Sequence, residues 1–401
     1  MTERVVLADF AAVRLQRPVR QEYLLSYLAW LMASARCAAD GARSPEAAAR
    51  ILSDVQDKLR RHAIGPKFIA RRQFNAFPES DEALGQRGTA PQLPPGFEDI
   101  ATRPDGPPLD ARMRQFETLA LEAFRRWYAE KPVAPDDLIH VTCSGYVSPS
   151  PAQRLICEKG WYSTAVTNSY HMDCYGAFPA IRSAVGLLAP SVLALPEPKK
   201  RVDIVHTEYL SAHVATLKDT PGDIINMTLF GDGFIGYSAY PEDVFRRSPQ
   251  LGSGFAVLAC HEQLIPNSAE EMVWKAGSPQ FDMFLSKNVP LLLRDNVLDF
   301  ARRLCARGGL DFNRVRDQLV FAIHPGGPKI LDHTRDVLGI SEDRVAHSRR
   351  VFTELGNMSS ATVPHILMDL AKDESVPQGA LVLAIGFGPG LTAIGLLLQK
   401  I

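Results

Sequence analysis

The sequence predicts an α/β fold. From residue 138 onward, short apolar runs alternate with stretches of helical periodicity, and a second run of the same pattern opens at Phe255 after the loop Tyr240 to Gly254. Strands buried on both faces and separated by helices imply helices packed on a sheet. The restart predicts two related halves with a division near residue 243, residues 1–242 and 243–401. With 401 residues, 46% of them hydrophobic and 22% charged, the chain can bury a core large enough for such a molecule.

Taken in order, residues 1 to 75 read mostly as helix. Leu24 to Ala35 suits an amphipathic helix and is far short of the ~20 residues that span a bilayer. Ser44 before Pro45 is a helix start, because proline at the first helical position gives up no needed N–H. The Pro-, Gly- and acid-rich stretch from Phe77 to Pro108 reads as a long surface loop. Leu109 to Ala129 follows as an amphipathic helix, with Met113, Phe116, Leu119 and Phe124 near helical spacing. Strands are expected at Leu138–Cys143, Val202–Leu210, Ile224–Phe230 leading into Phe234–Ser238, Phe255–Cys260, Leu319–His324 and Leu381–Ile385.

Charge narrows the function. Lys plus Arg total 44 against 45 Asp plus Glu, so no global field draws the chain to nucleic acid or an anionic membrane. Any anionic ligand must meet a local basic cluster. The six cysteines include no CxxC and no close pair, which fits neither a disulfide framework nor a zinc site. A reducing, cytoplasmic setting is expected, in which a lone thiol stays free to act as a nucleophile.

Three segments carry chemistry. The first is Tyr170-His171-Met172-Asp173-Cys174-Tyr175-Gly176-Ala177, ahead of the helix-like stretch Ala180 to Leu188. A cysteine at a helix entrance faces unpaired N–H groups, which favour the thiolate; Pro179 pins the helix start nearby. The second is the strand Leu319 to Ile323 followed by His324-Pro325-Gly326-Gly327-Pro328, a histidine at a strand terminus, where α/β enzymes hold ligands. It could stabilise the thiolate and donate to a thioester oxygen. The third is Gly356-Asn357-Met358-Ser359-Ser360, whose amide can donate to a developing oxyanion. Singly, each has a plainer reading: Cys174 as a buried thiol, His324 as a satisfied strand-end histidine, Asn357 as a turn residue.

In residues, order and spacing, His324 to Pro328, Leu355 to Ser360 and Gly386-Phe387-Gly388-Pro389-Gly390 resemble the signatures of type III polyketide synthases, the chalcone and stilbene synthase family. Leu229 to Gly233 and Lys287 to Pro290 match further segments, and 33 residues separate His324 from Asn357 as the family pattern implies. The resemblance extends more weakly from about Ala70 to the C-terminus. It implies a thiolase fold, five-layered αβαβα from two related halves, in a homodimer. The N-terminal half, with a helical extension, carries Cys174; the C-terminal half carries His324 and Asn357.

The resemblance also implies chemistry. Cys174 would accept an acyl starter from coenzyme A, or from an acyl carrier protein. His324 and Asn357 would hold malonyl thioester as it loses CO2 to become the attacking enolate, giving a polyketide such as a pyrone or resorcinol. No permanently bound cofactor is expected, only coenzyme A thioesters, acyl-CoA and malonyl-CoA, as substrates. Phe230 would gate the tunnel, Gly386, Phe387, Gly388 and Pro389 would shape the cavity wall, and Lys67, Arg71 and Arg72 could meet coenzyme A phosphates. A solvated helix end accounts for that basic cluster equally well. The chain departs from the family pattern where Met283 takes the place of a second gating aromatic and Trp274 that of a small glycine. Leu210, His213 and Cys143 stand where hydroxyl side chains are common. A bulky Trp274 should shorten the product without touching the thioester chemistry. The rivals are a ketosynthase making a single condensation and a non-catalytic thiolase-fold partner subunit.

Overall fold

The computed structural model describes residues 4–76, 93–94, 96–189 and 198–401. It opens with a strand, β1 (Val5–Ala12), where helix was expected. Val6 and Leu7 are flanked on both sides, by antiparallel partners at Tyr240 and Ala239 and at Ala256 and Phe255, so tertiary pairing decides what local pattern could not. The two-residue strand β2 (Val19–Arg20) leads into α1 (Gln21–Asp40) and α2 (Pro45–His62). Ser44 caps α2 by accepting from the Ala47 N–H at 3.1 Å, as its placement before Pro45 predicts. Strand β3 (Arg71–Arg72) pairs with β2. Of the expected surface loop 77–108, residues 93–94 and 96–108 are described, and there Phe97 and Ile100 are buried in a core with α1 and Phe116 instead of lying on the surface.

Helix α3 (Leu109–Trp127) is followed by β4 (Asp137–Thr142), α4 (Pro151–Lys159), β5 (Ala165–Tyr170), α5 (Ala177–Leu188) and β6 (Val202–Glu208). Then comes α6 (Pro221–Leu229), a helix where the β-branched run Ile224 to Phe230 suggested a strand. Thr220 and Asp223 form a reciprocal capping box with Pro221 in the first turn, and this start signal outweighs the β propensity of two isoleucines. Strand β7 (Gly233–Pro241) runs into α7 (Glu242–Arg246).

Beyond it lie β8 (Phe255–Leu264), the hairpin β9 (Met272–Ala276) and β10 (Phe281–Leu285), then α8 (Val289–Arg307) and α9 (Phe312–Val315). The chain closes with β11 (Val320–Ile323), α10 (Pro328–Leu338), α11 (Ala346–Leu355), α12 (Thr362–Lys372), β12 (Leu381–Gly388) and β13 (Thr392–Lys400).

Nine strands form one sheet in the order β11-β12-β13-β8-β1-β7-β6-β4-β5. Its two arms repeat each other. In one, β4 runs parallel to β6, β6 antiparallel to β7, and β7 antiparallel to β1. In the other, β11 runs parallel to β12, β12 antiparallel to β13, and β13 antiparallel to β8. Only the edge strand β5 lacks a counterpart among the described residues. The arms join through two residue pairs, Val6 with Ala256 and Leu7 with Phe255.

Between the arms lies a central helical layer. Phe178, Ile181 and Ala184 of α5 and Val363, Ile366 and Leu370 of α12 share one core with strand residues of both arms, among them Ile139, Ile204, Val382 and Leu396. Helices α3 and α4 cover the outer face of one arm through Phe124, Trp127 and Leu155. Helices α8 and α10 cover the other through Leu293, Phe300 and Leu331. These are the five layers, αβαβα, each large apolar side chain contributing roughly 1.5–3 kcal/mol on burial.

Candidate active site

The repeat brings distant segments to one place. Cys174 sits in the 3₁₀ turn just before α5, and Asn357 just before the turn that starts α12, so the two central helices point their N-terminal ends at a common point. His324 follows the last residue of β11, the position that Cys143 holds after β4 in the other arm.

Cys174, His324 and Asn357 line a single cavity of about 580 Å³, together with Phe230, Met283 and Phe387. The Cys174 Sγ lies 3.8 Å from the Asn357 Nδ2. Asn357 is held from several sides: its Oδ1 accepts from the Ser359 N–H at 2.8 Å, its N–H donates to the Leu229 carbonyl, and its carbonyl accepts from the Gly231 N–H. With Oδ1 engaged, the NH2 is the group left to meet a ligand. Gly356 makes this possible, because its φ is +72° and a Cβ would stand 2.9 Å from the Leu229 carbonyl oxygen.

The electrostatics correct one expectation. Cys174 is 4% exposed, and burial pushes its thiol up to about 12, with Asp173 adding to the rise and Asn357 opposing it. Burial holds His324 down at about 3, and neither ring nitrogen is hydrogen-bonded. The unliganded pocket therefore holds a neutral thiol and a neutral imidazole, because desolvation outweighs the helix-end field invoked for a thiolate.

A second, smaller chamber of about 80 Å³ is lined by Cys143, Asp173, Leu210, His213 and Trp274 among others, and Phe230 and Met283 line both spaces, where the two adjoin. Met283 and Trp274 are cross-strand partners in the hairpin β9–β10, and the Trp274 indole N–H donates to the Cys143 carbonyl at 2.8 Å. His213 donates from Nε2 to the Ser144 carbonyl and accepts the Phe281 N–H at Nδ1. Burial lowers it to about 3, which keeps it neutral. Phe281 stacks on His213 inside, while Phe284 is exposed.

Other predicted residues fall elsewhere. Arg72 is fully buried, donating to the Gln21 side chain and to the carbonyls of Met227 and Phe230. It braces the Phe230 backbone and cannot reach a phosphate in solvent. Arg71 pairs with Glu354, and exposed Lys67 lies over the Phe68 ring; neither lines the cavity. Its basic rim is instead Arg61, Lys287 and Lys329, brought together from three segments and so invisible as a cluster in the sequence. Gly386 and Gly388 are strand residues: a Cβ on either would run into the rings of Phe178 and Tyr175. They let the Cys174 segment press onto β12, and Pro389 follows in the turn; of this stretch only Phe387 lines the cavity.

Sequence reasoning also missed a buried polar network. Glu208 accepts from the Cys143 N–H at 3.0 Å and from the hydroxyls of Ser144 and Ser360. Ser360 in turn meets His206, which meets Tyr237, and the Cys143 thiol lies 3.0 Å from the Ser359 hydroxyl. The repeated Ser359-Ser360 after Asn357 was the available signal.

Fold and site together define a thiolase-like αβαβα protein in which a buried cysteine, a histidine and an asparagine line one cavity. Residues 256–401 match the family described as chalcone and stilbene synthases, C-terminal domain. Among curated proteins, the type III polyketide synthase A of Arabidopsis thaliana is 26% identical over 237 residues, 58% of this chain and 57% of that one. The alpha-pyrone synthesis polyketide synthase-like Pks18 of Mycobacterium tuberculosis is 28% identical over 294 residues, 71% and 70% of the two chains. The 1,3,6,8-tetrahydroxynaphthalene synthase of Streptomyces coelicolor is 29% identical over 259 residues, 64% of each. The chain matches little more than half the length of the first of these relatives. Among solved structures, PKS-I from the brown alga Ectocarpus siliculosus superposes with a TM-score of 0.77 at 23% identity, over 100% of this chain and 99% of that one. The type III domain of Steely1 from Dictyostelium does so with 0.76 at 18%, over 99% of each. The chain is thus similar to type III polyketide synthases, and its residues 256–401 match the C-terminal domain of the chalcone and stilbene synthases.

Proposed function

We propose that the protein is an acyltransferase that loads an acyl starter on Cys174 and condenses it with malonyl thioester by decarboxylative Claisen chemistry. The observation that carries this reading is the shared cavity: a thiol, an imidazole and a carboxamide on one wall, with cations at the rim. Arg61, Lys287 and Lys329 suit the phosphates of coenzyme A, or an acidic carrier protein presenting the same thioester. In the reaction, neutral His324 takes the thiol proton as Cys174 attacks the starter thioester and coenzyme A thiolate leaves. His324 and the Asn357 NH2 then donate to the malonyl thioester oxygen as CO2 departs, and the enolate carbon attacks the acyl group, releasing the Cys174 thiolate.

The small inner chamber favours few extensions, and with Trp274 inside it a single condensation is the second reading. A homodimer acting on coenzyme A thioesters, with no resident cofactor, completes the proposal. Among the described residues no helix is long and apolar enough to cross a membrane.

Intact-protein mass spectrometry after incubation with acyl-CoA and acyl-carrier donors tests it. The expected outcome is one acyl adduct, absent in Cys174→Ala, followed by carbon–carbon product when malonyl-CoA is added. Product formation undiminished in Cys174→Ala would point to the non-catalytic reading, and acylation from the carrier alone would exclude free coenzyme A as donor.

A further inference from the structure

Asp173, the residue before the nucleophile, sits where the proposed mechanism gives it no task. It is 2% exposed, lines the inner chamber, and its carboxyl has no partner beyond the weakly donating Cys143 thiol. Its backbone is left-handed, with φ +51°, a conformation that glycine adopts without penalty. A poorly satisfied buried polar group destabilises the fold, and so does a left-handed non-glycine residue, though less for aspartate. A side chain disfavoured on both counts and facing a cavity is expected to meet something there.

Its neighbours say what. Glu208 is also fully buried, but it takes hydrogen bonds from the Cys143 N–H and the Ser144 and Ser360 hydroxyls, which suit an ionised carboxylate. Asp173 has only the Cys143 thiol for support; burial first, then the charge of Glu208, push its carboxyl well above the usual range. Burial raises Glu208 too, and of two interacting buried carboxyls the one with fewer donors keeps the proton. Asp173 is therefore a donor, and the chamber around it is largely apolar, with Leu210, Phe230 and Trp274 among its walls.

We infer that Asp173 is a specificity-determining residue that donates a hydrogen bond to the 3-oxo oxygen of an acyl chain in the inner chamber, so that the site prefers 3-oxoacyl over saturated acyl thioesters. The oxygen is assigned to the carbons nearest the thioester because Asp173 adjoins Cys174 in the chain. This rests on the condensing role proposed above: the product of one malonyl condensation is a 3-oxoacyl thioester, and a donor here would retain it for release or a further round.

The test separates binding from catalysis. In the unreactive Cys174→Ala protein, affinities for acetoacetyl-CoA and butyryl-CoA, which differ by one carbonyl oxygen, are measured by calorimetry. The expected preference for acetoacetyl-CoA is about tenfold, the worth of one buried hydrogen bond. Adding Asp173→Ala or Asp173→Gly should bring the ratio close to one, and Asp173→Asn, which keeps a donor, should retain most of it. A merely structural residue would weaken both ligands together. Equal affinities in the parent, or a preference that survives loss of the side chain, overturns the inference. The condensing role fails separately, if the wild-type protein makes no carbon–carbon product from malonyl-CoA.

Discussion

Protonation at the nucleophile is decided by burial. Because the Cys174 thiol is raised to about 12, the free protein holds little thiolate at neutral pH. Its alkylation by iodoacetamide, followed by peptide mass spectrometry, should keep rising from pH 7 to pH 10 with no plateau. A plateau below pH 8 would mean that the helix-end field and His324 outweigh desolvation. Asp173 makes the complementary case. Replacing it by glycine removes a carboxyl supported only by the Cys143 thiol and relieves a left-handed backbone, so Asp173→Gly should unfold at a higher temperature than wild type, by about 1–3 kcal/mol in stability, while losing ligand discrimination. A lower melting temperature would show that the carboxyl has a stronger partner in the folded protein.

The hairpin β9–β10 and strand β12 carry the element-scale consequences. Trp274 lines the inner chamber, with its indole N–H donating to the Cys143 carbonyl and its ring edge-on to His213 and Phe281. Trp274→Ala should enlarge the space and shift products toward longer chains, read by liquid chromatography and mass spectrometry of reaction mixtures. An unchanged product would place the length limit at Phe230 and Met283 instead. On β12, a methyl at Gly388 would stand 1.7 Å from the Tyr175 ring. Gly388→Ala should lower stability by roughly 1–3 kcal/mol and slow acylation, because Tyr175 adjoins Cys174. The sequence showed the glycines and their motif, but not that their use is close packing, since the colliding rings lie more than two hundred residues away.

Across the whole molecule, Arg4 ties the two arms near their junction, pairing with Glu242 at the start of α7 and donating to the Gln399 side chain on β13. Chiefly through the hydrogen bond with Arg4, the Glu242 carboxyl is lowered to about 2. A carboxyl depressed in the folded state adds stability above its ordinary unfolded value, about 4.3, and that contribution disappears as pH falls toward 2. Glu242→Gln should therefore lower the melting temperature at pH 7, and the gap to wild type should narrow steadily between pH 5 and pH 3. A gap independent of pH would assign the loss to packing.

The alternation of strands and helices, the segments bearing Cys174, His324 and Asn357, and the family they resemble were legible in the amino-acid order, because periodicity, capping and short motifs are written in neighbouring residues. Local pattern misjudged β1 and α6, where pairing on both sides of a strand and a capping box overrode the apparent propensity. It took the folded chain to show that Arg72 is buried beneath Phe230, that Arg61, Lys287 and Lys329 line the cavity, and that Asp173 faces a chamber with only the Cys143 thiol for support. These depend on which side chains from remote segments share a volume, and on the solvent that volume excludes. No local pattern encodes either one.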